Sequence, residues 1–179
     1  MFRTFATAFM VLALTAPAIA AEPGGTITGT IEGQQVELSI SPGQSDYDGN
    51  LEQRLITAAL MVRGEALAQW DIGTGFISFE AYDLIGAGFA YVEVTFDIND
   101  RSPARTYVAE YSAYAEENPL ATSVISVAEA DNLLTISGRV AGTLTSVERI
   151  GLRNPDPDDT LEIDLIFDAV VAHWSRESE

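Results

Sequence analysis

From Gly24 onward, apolar and polar side chains trade places at every second residue, in one stretch after another. Thr26 to Ile31 alternates small polar with apolar residues, Glu32-Gly33-Gln34 interrupts, and Val36, Leu38 and Ile40 resume the period of two. That period marks a strand with one face in a core, and two such runs about a glycine-bearing turn predict a hairpin. Ser41 to Asn50, rich in Pro, Gly, Ser, Asp and Asn, reads as a loop. Residues 51–63 admit two readings. Asn50 with Gln53 can cap a short helix, and Leu51, Leu55, Ala59 and Val62 have helical spacing. The flanking β patterns and the turn at Arg63-Gly64-Glu65 favour two strands instead, about Arg54 to Val62 and Ala66 to Ile72.

The β signal then runs on steadily. Phe76 to Tyr82 is aromatic and β-branched, and Gly86-Ala87-Gly88 turns the chain. Phe89 to Ile98 sets Tyr91, Glu93 and Thr95 on one side and Val92, Val94, Phe96 and Ile98 on the other. After a turn at Asn99 to Ala104, Thr106 to Tyr114 alternates again. Glu116 to Leu120 reads as a loop. Val124 to Ala128 and Leu133 to Val147 form a hairpin about Asp131-Asn132, with Gly138 and Gly142 as bends or bulges. Asn154 to Thr160 reads as a rigid acidic loop, and Leu161, Ile163, Leu165 and Phe167 define a last strand. Eight to ten short, mostly antiparallel strands predict an all-β chain, a β-sandwich or alternatively a small β-barrel.

The N-terminus departs from this pattern. Arg3 precedes an uncharged run from Thr4 to Ala16, and Pro17 leads into the small-x-small tripeptide Ala18-Ile19-Ala20. These are the three parts of a secretory signal, so residues 1–21 are expected to be removed on export. The apolar stretch is too short to span a bilayer. Residues 22–179 are then expected to form a single β-sandwich-like domain, periplasmic or secreted, with no transmembrane segment.

Composition narrows the chemistry. The chain has no cysteine, so packing alone must hold the sheet, and thiol catalysis and thiolate metal sites are excluded. Its nine basic residues are all arginine, which excludes lysine Schiff-base chemistry. The formal charge of −18 repels nucleic acid and leaves a protein or a neutral or cationic ligand as partner.

Several weak sites stand out. Asp46, Asp48, Asn50 and Glu52 alternate along what reads as a tight turn, where their oxygens could converge on Ca²⁺. The sixth position of an EF-hand loop falls on Leu51 and its glutamate position on Thr57, so only a generic acidic turn remains, and no other cofactor is indicated. Asp97, Asn99 and Asp100 form a second acidic cluster, and Asn154 to Asp159 a third. Tyr107 and Tyr111 share a strand face, Tyr114 takes the other, and Trp70 could join the pair in stacking on a ligand, unless they fill the core or cover its rim. Glu80, Glu93 and Glu110 interrupt aromatic strands and are the carboxylates to weigh for glycoside hydrolysis. His173 is the only histidine, and no Gly-x-Ser-x-Gly elbow accompanies it. The reading that fits best is an exported, non-catalytic binding module. A carboxylate-dependent carbohydrate hydrolase and a β-barrel carrier of an apolar ligand are the alternatives.

Overall fold

The computed structural model describes residues 23–52, 55–63, 72–98, 105–148 and 154–174. The expected leader, Trp70, the second half of the 51–72 reading and the turn at 99–104 lie outside them. Ten strands occupy most of the rest: β1 (Gly24–Ile31), β2 (Gln34–Ile40), β3 (Asp46–Asn50), β4 (Leu55–Arg63), β5 (Ile72–Ala81), β6 (Tyr91–Ile98), β7 (Arg105–Ser112), β8 (Leu120–Ala130), β9 (Leu133–Val147) and β10 (Pro155–His173). No helix occurs among the described residues.

The strands pair in the order β2-β1-β10-β3-β4-β5-β6-β7-β9-β8, with further pairings of β2 to β4 and β9 to β10. Only β10 with β3 is parallel, over Ala172 and His173 against Asp46 and Tyr47. The hydrogen bonding therefore closes a ring, but an uneven one. Three joints hold only two or three residue pairs each: β2–β4, β3–β10 and β7–β9. Between those thin joints lie two five-stranded faces, β2-β1-β10-β9-β8 and β3-β4-β5-β6-β7. Across the interior, Phe79 of central strand β5 stacks on Phe167 of central strand β10 with ring centroids 6.5 Å apart, and Phe89 packs on both. The molecule is a flattened ring whose two inner faces meet, which joins the sandwich reading to the barrel one.

Period-2 alternation puts the core where it lies. β10 buries Leu161, Ile163, Leu165, Phe167, Ala169 and Val171 and exposes most of the residues between them. The β1–β2 turn has positive φ at Glu32 (50°) and Gly33 (72°), the primed geometry that matches the strands' own twist. The β8–β9 turn repeats it at Asp131 and Asn132.

Two expectations give way, and the open choice at 51–63 falls to the favoured strand. Residues 55–63 are a strand, not part of a helix: Ile56, Ala58, Leu60 and Val62 are buried, and β3 and β5 bond β4 on both edges. The helical spacing is real but loses to partners that satisfy the whole backbone. Residues 46–50 belong to a strand rather than a loop. β3 has one well-buried side chain, Tyr47, so its five residues show no apolar alternation to read. Residues 155–160 open β10 instead of forming a loop. Pro155 and Asp156 pair with Val147 and Ser146 before the register shifts ahead of Thr160. Pro155 is tolerated as the strand's first residue, and Pro157 because it falls in the stretch between Asp156 and Thr160 where the register shifts.

Candidate functional site

The outer face of β3, β4, β5 and β6 carries two rows of side chains across the strands. Register sets Asp46, Ala59, Ser78 and Glu93 in one row and Asp48, Thr57, Glu80 and Tyr91 in the next. All point away from the core, because they alternate with the buried Tyr47, Ala58, Ile77, Phe79 and Val92. Thr57, Ala59 and Ser78 are small while Asp46, Asp48, Glu80 and Tyr91 about them are larger or charged, so the face is hollowed into a trough of about 320 Å³.

One wall comes from the C-terminal end of β10. His173 pairs with Tyr47, and the next residue, Trp174, donates its backbone N–H to the Tyr47 carbonyl at 2.7 Å. This carries the indole, half exposed, alongside Asp46 and Asp48. Glu80 and Tyr91 line the other side. The Tyr91 hydroxyl donates to Glu93 at 3.2 Å. Tyr82, two residues beyond Glu80 and 54% exposed, hydrogen-bonds to the Glu80 carboxylate, which raises the phenol's pKa above its ordinary value. The trough thus combines carboxylates with flat aromatic faces.

His173 sits behind this wall. Its ring meets Tyr47 edge-on at 5.0 Å, and its Nε2 lies 3.8 Å from Asp48 Oδ1. Its neighbours are thus an aromatic ring and a carboxylate of the trough. Asp48 Oδ1 also accepts the Gly49 N–H at 2.8 Å.

Asp46 and Asp48 project from one face of β3 about 7 Å apart, and Gly49, at a φ of 94°, interrupts the extended backbone before Asn50. Glu52 follows in the turn. Among the described residues no three His, Cys, Asp or Glu side chains gather as a metal ion would require.

Tyr107 is fully buried on β7, its hydroxyl donating to Asp159 at 2.9 Å. Tyr111 is half-buried against the rim of the core, and Tyr114 is 81% exposed in the following turn. Asp159 also pairs with Arg105 and accepts from Ser146. Burial alone would raise the Asp159 pKa, but the bonds from Tyr107, Arg105 and Ser146 outweigh it and hold the carboxyl below its ordinary value of 3.8. Asp97 likewise ties strands together, accepting from Thr74 and Thr106 at 2.7 Å each.

Glu80, Glu93 and Glu110 all lie on the outer sheet face, with Glu93 and Glu110 directly opposite across β6 and β7. Only Glu80 of the three lines the trough. Trp174 escaped the sequence reading, since nothing local links a C-terminal indole to Asp46. The signal that could have found it is the last strand's length, which carries its end past β1 to β3. No family model matches the chain, and no curated protein or solved structure proves similar to it.

Proposed function

We propose that the chain is an exported, non-catalytic binding module. Its trough on the outer face of β3 to β6 takes a cationic, amine- or guanidinium-bearing ligand. The observation that carries this reading is the pairing of Trp174 and Tyr91 with Asp46, Asp48 and Glu80 around one hollow. A cation beside such a set gains twice: from carboxylates and from ring faces, whose quadrupoles attract positive charge. The net charge of −18 adds a long-range field of the same sign, which draws cations in and speeds encounter. Export agrees with the strand layout, for the first described strand, β1, begins at Gly24, beyond the expected cleavage point. The interior counts against an apolar carrier, because Phe79, Phe89 and Phe167 occupy its middle.

The test uses tetra-arginine peptide and spermine, titrated against a Trp70→Phe background so that fluorescence reports Trp174. Saturable quenching is expected. Trp174→Ala, which lacks the reporter and is followed by calorimetry instead, should weaken binding by about 1 kcal/mol, roughly fivefold. Asp46→Asn with Asp48→Asn should weaken it further and flatten its salt dependence. No quenching at millimolar probe, or binding indifferent to both variants, would sink the proposal.

A further inference from the structure

β8 is the outermost strand of its face and, among the described residues, pairs with β9 alone. Its eleven residues therefore present one unpaired row of backbone donors and acceptors, the usual template for adding another strand. Natural edge strands are normally guarded by charge or proline. The other three outermost strands follow that rule: β2 carries Glu37, β3 carries Asp46 and Asp48, and β7 carries Arg105 and Glu110. β8 has a single charge, Glu129 next to its end, and that carboxylate is taken up by the Tyr47 hydroxyl and the Leu51 N–H. From Asn118 to Ala128 the chain has no charged residue at all, in a protein of net charge −18, and Pro119 lies just outside the strand.

The inner face of β8 is also incompletely covered. Val124 and Val127 are only half-buried where every inward residue of β10 from Leu161 to Val171 is fully so. Leu51 and Tyr111 on the opposite side of the seam are half-buried too. At the middle of the strand a bulge between Val124 and Ser126 leaves Ile125 without a partner on β9, and its side chain is 58% exposed.

We infer that β8 pairs with β8 of a second copy of this chain, antiparallel about a twofold axis near Val124 and Ile125. Charge selects this occupant. Two chains of net −18 repel wherever acidic surfaces meet, and along the uncharged stretch of β8 they meet without doing so. Pairing about that centre sets the uncharged residues opposite each other. It leaves the two Glu129 side chains at opposite ends, roughly 30 Å apart and beyond the screening length of about 8 Å. Each copy's Val124 and Val127 then extend the face that the other leaves half-covered. Growth stops at two copies, because the contact uses the same patch on both partners and the far edge of the face, β2, is held by β4. The contact is separate from the trough and does not depend on its function.

Sedimentation equilibrium over a concentration series reads the state directly. The expected result is a concentration-dependent species of twice the chain mass. Ile125→Glu places two like charges together at the twofold axis and should raise the dissociation constant about tenfold or more. Ser39→Glu, the same charge on an exposed position of β2, should leave it unchanged. Hydrogen exchange supplies a second readout on the unaltered protein: amides of residues 120–130 should lose protection on dilution. A monomer at every concentration overturns the inference. So does a dimer broken by Ser39→Glu but not by Ile125→Glu, β8 exchange independent of concentration, or protection gained only with a foreign peptide.

Discussion

Tyr47 joins three strands through one side chain. It is buried on β3, its hydroxyl donates to Glu129 of β8 at 3.0 Å, and its ring takes the edge contact with His173 of β10. The second oxygen of Glu129 accepts the Leu51 N–H at 2.8 Å. Burial first, then the bond to Glu129 and its charge, push the Tyr47 phenol up to about 12 from 10.0. The folded state thus favours the neutral phenol, so this stabilisation is intact below pH 10 and lost as pH rises towards about 12. Tyr47→Phe should cost about 1–2 kcal/mol at neutral pH and make urea unfolding fall less steeply between pH 10 and 12. Asp159 has the opposite sign. Its folded pKa lies below 3.8, so its contribution is present above that value and disappears as pH falls through the folded one. Asp159→Asn should be clearly destabilised at neutral pH yet converge on the parent in acid, read from denaturant midpoints below pH 4. Neither bond was legible locally: Tyr47 read as part of a loop, and Tyr107 as either a stacking platform or a core residue, with no sign of Asp159. Alternation tells which way a side chain points, not which distant strand supplies its partner.

At the level of elements, β9 and β10 are matched in shape as well as register. Gly138 lies opposite Phe167, and a Cβ at 138 would come within 2.4 Å of the Phe167 ring. The glycine that reads as a bend is thus the recess that seats the largest side chain of the longest strand. Gly138→Ala should cost about 1–3 kcal/mol by overpacking, and much less in a Phe167→Leu background, a coupling that a double-mutant cycle of unfolding free energies measures. Phe167→Ala should cost about 3–5 kcal/mol, a large share of the 5–15 kcal/mol that holds a typical domain folded. Gly29 is constrained differently. Its φ of 146° and a Cβ position 2.0 Å from the Asp164 carbonyl oxygen admit no other residue without moving β1 from β10. The strands with long apolar alternation, β2, β6, β9 and the later part of β10, were all legible. β3 and the start of β10 were not, because strands so short or so polar show no period, and only pairing with neighbours defines them.

Over the whole molecule, charge and topology divide the work. With no disulfide available, two inner faces packed together supply the stability, while acidic residues concentrate on the outer faces. That division lets one outer face become a cation trough without disturbing the core. Raising ionic strength should therefore weaken binding at the trough and strengthen pairing through β8, since screening lowers both an attraction and a repulsion. Calorimetry with spermine and sedimentation of the free protein, each across a salt series, check the two opposite trends.

The order of polar and apolar residues by itself determined that the chain is all-β, which side chains enter the core, and where most turns fall. These follow from the geometry of a single extended strand, in which neighbours point to opposite sides. The ring closure, the placing of Trp174 beside Asp46, and the isolation of β8 at an edge were decided only by the tertiary structure. Each depends on which strands lie side by side. That choice is set by the joint packing of both faces, and no local stretch of sequence carries it.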